Sequence, residues 1–255
     1  MIKLFRNIRK KLVSENRSII RNTNYFKYAI GEIVLVVIGI LIALQVNNWN
    51  EGRKEKIQEK LLIQSIISDL KMDTLMLNQT LKLLKEDTTR VFAFITRMSN
   101  NKVTLDTLVQ IARYEFDPRL HVNAAFNDNT FKSLLSTGSL NLLDKWLQDE
   151  LMQINEMHEA NITRTGLNSG AYVSQVTSFA RKYPLSDYGN ISPDSKLADA
   201  IWQKAEFEEL GVYLNALLSI RNVTNLYAIN QLNEIQKKTN EFLVRINNYS
   251  HSPNQ

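Results

Sequence analysis

The chain has 255 residues with 31 Lys and Arg against 26 Asp and Glu, a formal net charge of +5, and no Cys. The missing thiol excludes disulfides, thiolate metal sites and thiol catalysis, so the fold must be stable from packing alone. The positive balance does not describe a nucleic-acid protein: residues 1–27 hold eight basic side chains against Glu15 alone, whereas residues 50–255 hold 23 basic and 24 acidic ones.

The first stretch carries Lys3, Arg6, Arg9, Lys10, Lys11, Arg17, Arg21 and Lys27, with Ile2, Phe5, Ile8 and Leu12 recurring at helical spacing. Residues 1–27 read as a basic amphipathic cytoplasmic tail. Such a helix lies apolar face down on an anionic leaflet, drawn by roughly 1 kcal/mol per basic side chain. The simpler reading makes these residues a topology signal only.

Behind the tail runs AIGEIVLVVIGILIALQV, Ala29–Val46, where from Ile33 to Leu44 only Gly39 and Ala43 are not Ile, Val or Leu. Ten such side chains at roughly −0.5 kcal/mol each favour insertion by about −5 kcal/mol, more than Glu32 costs near the edge. Tyr28 to Trp49 makes a helix of about 33 Å, matching a hydrocarbon core of about 30 Å. Tyr25, Phe26 and Tyr28 at one end and Trp49 at the other sit where interfacial aromatics sit. Residues 28–49 therefore read as a single transmembrane helix embedded in the lipid bilayer. A buried core helix and a cleaved signal peptide are the alternatives; the aromatic flanks speak against the first, and the lack of a small-x-small site after Leu44 against the second. The Lys and Arg excess ahead of the span puts the N-terminus in the cytoplasm and residues 50–255 outside. Gly39 and Ala43 lie four apart, a spacing that lets two helices approach closely, and Glu32 can accept a hydrogen bond from a partner helix. The plainer alternative leaves Gly39 tolerated and lets Glu32 reach the headgroups.

Eight Gly and four Pro in the whole chain, with little strand-type alternation, predict an all-α domain over residues 50–255. Ile63, Leu70, Leu77, Leu84, Val91 and Met98 recur every seventh residue, and Ile67, Thr74, Leu81, Thr88 and Ile95 interleave with them. Leu62, Ile66, Leu75, Met76, Leu83, Phe92 and Phe94 widen the stripe, which suits a bundle helix better than an isolated coiled coil. A turn at Asn100–Lys102 follows, then a short helix near Leu105–Tyr114 that must end before Asp117-Pro118. Gly138 reads as a helix C-cap and Asp144 as the next N-cap. A further helix near Ser169–Tyr183 stops at Pro184, and Pro184–Ser195 is the main loop. The last helical stretch runs from Lys196 to Asn248, with a break near Glu206–Gly211. Its repeat Ala228, Leu232, Ile235, Thr239, Phe242, Ile246 and Tyr249 predicts antiparallel packing on the first long helix, bringing the C-terminus back toward the membrane.

A search for chemistry returns little. His158-Glu159 begins like HExxH, but position 162 is Ile. Asn155 and Pro118 occupy the places where Glu-x-x-His pairs with His158 and His121 would need a carboxylate. Glu115, Asp117 and His121 around a Pro turn read as a polar loop rather than a metal site. Ser99 and Lys102 fit Ser-x-x-Lys spacing only by chance. No Gly-rich phosphate loop and no nucleophile elbow occur. Trp146 and Trp202 read as core or rim residues. The expectation is a protein that is no enzyme, with no catalytic residue, cofactor or metal.

The stretch YAIGEIVLVVIGILIALQVNNWNE, preceded by KLFRNIRKKLVSEN, resembles an uncharacterised single-pass membrane-protein family of Bacteroidota, and FKSLLSTGSLNLLDKWLQDELMQ looks like that family's second recurring segment. The chain departs from the family pattern at Asn155-Glu156-Met157-His158, where relatives often end this helix in tyrosines. The resemblance implies a bacterial inner-membrane protein with a helical periplasmic domain and carries over no catalytic residues. The functional expectation is a membrane-anchored interaction or scaffold module that binds a partner protein or a second copy. A sensor-like ligand-binding bundle signalling through a separate partner is the alternative. A hydrolase with a dispersed site is a third reading; a deep polar pocket between helices would favour the sensor or the hydrolase, and a flat apolar patch the scaffold.

Overall fold

The computed structural model describes residues 23–122, 125–185, 191–192 and 194–251. The amphipathic tail expected over residues 1–27 lies outside them, apart from the helical backbone of its last five residues. The elements are α1 (Thr23–Met98), α2 (Leu105–Gln110) with a π turn at Ile111–Glu115, α3 (Asn129–Thr137) with a 3-10 turn at Ser139–Leu142, α4 (Lys145–Ala180), α5 (Lys196–Trp202) and α6 (Phe207–Ser250). No strand occurs among the described residues, and the fold is all-α.

Two compact units divide the chain, Met1–Lys56 and Ile57–Gln255. In the first, α1 passes through Asn47, Asn48, Asn50 and Gly52 without a break, and Asn47 Nδ2 donates to Glu51 Oε1 at 3.0 Å. A single helical Gly costs only about 1 kcal/mol and no Pro is present to stop the ladder. The large apolar side chains from Tyr28 to Trp49 are 47–69% exposed all round the helix. This is one helix, near the N-terminus, apolar and long enough to cross a membrane, with mean hydropathy 2.6 over its best window.

The second unit is built on α1 from Ile57 onward, α4 and α6. Ile63, Ile66 and Leu70 share a core cluster with Leu147, Leu151 and Ile154 of α4 and with Phe242 and Ile246 of α6. Leu77, Leu81 and Leu84 meet Leu232 and Ile235. Val91 and Phe94 meet Tyr172, Val176, Leu214 and Leu217. As α1 advances, α6 therefore recedes and α4 advances. The antiparallel packing of α1 and α6 is as the repeat predicts, and α4 completes a three-helix bundle. Because α4 runs parallel to α1, the chain between them must return along the bundle. Phe116 packs at one end, Phe126 in the middle cluster and Leu134 at the other, so residues 116–122 and 125–128 lie on that return.

Three sequence expectations need correction. The second row of the α1 seam is shifted by one residue. Ile66, Asp73, Asp87 and Phe94 are buried, whereas Ile67, Thr74, Thr88 and Ile95 are only partly covered; Leu81 is buried as expected. Thr74 and Thr88 donate their hydroxyls back to the Leu70 and Leu84 carbonyls, at 2.9 and 2.7 Å. Ile66-Ile67 and Phe94-Ile95 fit either row by periodicity alone. Partners elsewhere in the bundle then decide in favour of the aspartates. The helix expected near Ser169–Tyr183 is instead the second half of one 36-residue helix, α4, that runs through Gly166 and Gly170. Burial of Tyr172, Val176 and Phe179 behind them offsets two helical glycines. The break in the last stretch falls at Gln203–Glu206, earlier than Gly211, which lies inside α6 with room for a Cβ only at 3.7 Å from Leu108.

Gly138 does cap α3, at φ +70°, where any side chain is strained. Asp144 occupies the N-cap position of α4 but makes no cap bond; its Oδ2 accepts instead from the Tyr249 hydroxyl at 3.0 Å. Among the seam residues, Leu70, Leu77, Leu81 and Leu84 are all buried.

Candidate functional site

The bundle carries charge inside. Asp87 of α1 and Arg221 of α6 are 3% and 1% exposed. Arg221 Nε and Nη2 donate to the two oxygens of Asp87 at 2.7 and 2.8 Å. Nη1 donates to the Asp117 carbonyl at 2.8 Å and to the Tyr172 hydroxyl at 2.7 Å, and Nη2 also donates to the Arg119 carbonyl at 2.6 Å. All five guanidinium N–H groups are thus used, which only a planar fork at this position can do. Asn225 Nδ2 donates to Asp87 Oδ2 at 2.7 Å, and the Tyr172 hydroxyl donates to the Pro118 carbonyl at 3.0 Å. The network fastens the returning segment to all three long helices.

Two heptads earlier, Asp73 holds the same segment in a poorer way. Its Oδ1 accepts the Asn127 backbone N–H at 2.7 Å and Asn127 Nδ2 at 2.9 Å. Asp73 is 1% exposed and its Oδ2 has no partner. Burial raises its pKa from the ordinary carboxylate value against the Asn127 hydrogen bonds, and Asp69 and Asp128 add to the rise. Nearby, Phe126 stacks on His158 with ring centroids 3.7 Å apart. Burial pushes the His158 pKa down to about 4, so the ring is neutral at pH 7, and its Nε2 has no partner.

Two clefts open on these layers. One is lined by Asn161, Thr165, Asn168, Thr224, Asn225 and Gln231 among others. The other is lined by Ile66, Asp69 and Asp73 of α1, by Leu151, Ile154 and His158 of α4, and by Asp128.

The outer surface has its own pattern. From Leu210 to Asn233, α6 holds a single charged residue, the buried Arg221, and from Thr165 to Ala180, α4 holds none. These stretches lie side by side. Asn161 Nδ2 donates to Gln231 Oε1 at 3.2 Å, Arg221 reaches Tyr172, and Lys182 pairs with Glu209. Leu167, Val173, Val212, Val223, Leu226 and Tyr227 are exposed there. Charge resumes beyond, where Glu150 pairs with Lys238 and Arg245.

The residues singled out from sequence fall into place separately. Glu32, Gly39 and Ala43 lie on one face of α1, all exposed, and a Cβ on Gly39 would meet nothing within 4 Å. Glu115 pairs with Arg97, Asp117 accepts four hydrogen bonds from three nitrogens of Arg119, and His121 lines the first cleft. Trp146 is half-buried, edge-on to Phe242 and Tyr249, and Trp202 is buried and stacked on Tyr183 at 5.2 Å. Sequence reasoning passed over Asp73, Asp87, Arg221 and Asn225. Signals existed: Leu70-x-x-Asp73 and Leu84-x-x-Asp87 repeat at fourteen residues, and Arg221 is a lone charge in an apolar stretch.

No curated protein and no solved structure matches the chain significantly. The model of a family of unknown function (DUF6090) matches residues 32–132, from Glu32 in the apolar span to the first turn of α3.

Proposed function

We propose that the protein is a membrane-anchored interaction module of a bacterial inner membrane. Its N-terminus is cytoplasmic and its helical domain periplasmic. It works by docking a partner protein on the α4–α6 face and not by catalysis. The observation that carries this reading is the charge-free outer surface of Thr165–Ala180 and Leu210–Asn233, studded with exposed Leu167, Val212, Val223 and Tyr227. Interface centres are depleted of charge and enriched in aromatics, and a soluble surface of this length ordinarily is not. The Lys and Arg excess ahead of the span supports the orientation. Leu167→Glu and Val223→Glu test the docking face. Both side chains are exposed, so melting of the solubilised chain should not change. A larger complex resolved by native electrophoresis of mild-detergent membrane extracts should be lost. Unaltered complex in both variants would refute the assignment.

A second reading, the ligand-binding bundle that signals through a separate partner, is favoured by the two clefts between the helices, each of which holds polar side chains.

A further inference from the structure

Asp73 and Asp87 stand at equivalent seam positions, and both are buried. Asp87 has a complete counter-ion, since Arg221 faces both of its oxygens. Asp73 has none among the described residues. Asn127 serves one oxygen, the other is without a partner, and the charged neighbours acting on it are the carboxylates Asp69 and Asp128. Asp69 is engaged by the Thr130 backbone N–H at 3.1 Å, and Asp128 by Lys132 at 2.6 Å, an ion pair whose lysine is 67% exposed at the surface. A buried carboxylate without a cation either takes a proton or recruits a positive ligand.

The walls of the cleft define what that ligand is. Three carboxylates repel an anion. Among the described residues no three His, Asp or Glu side chains are placed to hold a metal ion. Asp73 Oδ2 and His158 Nε2 both belong to residues that line the cleft, both are buried, and both lack a partner. In the tautomer with its proton on Nδ1, a neutral imidazole offers Nε2 as an acceptor. Two acceptors and surplus negative charge call for a donor that is itself a cation, and an ammonium has three N–H groups to give. Ile66, Leu70, Phe131, Leu151 and Ile154 complete the wall with apolar surface that suits a methylene stem. We propose that this cleft binds the primary ammonium group of a small aliphatic amine, with Asp73 Oδ2 and His158 Nε2 as its acceptors.

Isothermal titration of the full chain in detergent at pH 7 tests the proposal, with n-butylamine as the probe and n-butanol, tetramethylammonium and Mn²⁺ as comparisons. The expected result is saturable one-site binding of n-butylamine only, weakened at least tenfold by Asp73→Asn and by His158→Phe, with matching melting curves. His158→Phe keeps an aromatic ring against Phe126 and removes both nitrogens, so it carries the test should Asp73→Asn misfold. The ¹⁵N resonance of His158 Nε2 should move on amine addition, which a purely structural imidazole would not do. Equal binding of n-butanol would make the cleft merely apolar. Binding of Mn²⁺ that Asp73→Asn abolishes would make it a metal site. Absence of any saturable amine heat would leave the two atoms to water. Each of these three results overturns the proposal.

Discussion

Removing Arg221 perturbs the helical domain at its most connected point. The side chain is 1% exposed and donates five hydrogen bonds: two to Asp87, one to Tyr172, and one each to the carbonyls of Asp117 and Arg119. Arg221→Ala leaves Asp87, 3% exposed, with Asn225 at 2.7 Å and the distant Arg90 at 3.4 Å. An uncompensated buried charge costs about 3–5 kcal/mol. The two freed carbonyls each add a cost of about 1–3 kcal/mol if water cannot reach them. Arg221→Ala should therefore destabilise by at least 4 kcal/mol, roughly, and Asp87→Ala by about 3–5 kcal/mol, since it strands the guanidinium. The double variant should cost well below the sum of the two, with a coupling of about 2 kcal/mol or more. Arg221→Lys keeps the charge but loses the fork and should fall between wild type and Ala. Urea unfolding of the detergent-solubilised chain, followed by circular dichroism, measures all four. Single effects below about 1 kcal/mol, or strict additivity, would show that the pair is not what holds residues 117–119 against the bundle.

Burial of neutral His158 makes stability depend on acid. Its folded pKa of about 4 lies below the unfolded 6.5, so the unfolded chain binds the proton more tightly. Its contribution is intact above pH 6.5 and is lost as pH falls toward 4, by about 3 kcal/mol in full; His158→Phe should remove that slope, and identical acid melting curves would refute it. The raised pKa of Asp73 acts in the opposite sense, because its protonation favours the folded state as pH falls, so Asp73→Asn should not destabilise the chain at pH 7. Leu77→Ala, at a fully buried position among Leu81, Leu84 and Leu232, should cost about 2–5 kcal/mol in urea titration, while Leu75→Ala on the exposed face should cost under 1 kcal/mol, roughly. In the membrane, Gly39→Leu should weaken self-association or subunit association in a reporter assay without affecting insertion, and Val37→Leu on another face should not; equal behaviour would leave the anchor a plain tether.

The apolar span, the seam leucines and the repeat from Leu232 to Ile246 were legible because each is a periodic burial signal that local sequence carries in full. The aspartates were not. Periodicity counts a charge as solvent-facing, and only the distant Arg221 and Asn127 make burial of Asp87 and Asp73 tolerable. The unity of α4 was hidden by Gly166 and Gly170, which punctuate a sequence but yield to the packing of Tyr172 and Phe179. The return of residues 116–122 and 125–128 along the bundle has no local signature, because hydrogen bonds to residues some 50–100 positions away fix it. The charge-free outer face of α4 and α6 was present in the sequence throughout. It became a candidate site only when the structure set the two stretches side by side.

The docking claim is tested most directly by photo-crosslinking in intact cells, with p-benzoylphenylalanine placed singly at Leu167, Val223 and Tyr227 on the uncharged face and at Glu234 and Glu241 beyond it. The account predicts one adduct of constant size at the first three positions and none at the last two. Adducts distributed equally over all five, or confined to Glu234 and Glu241, would contradict it.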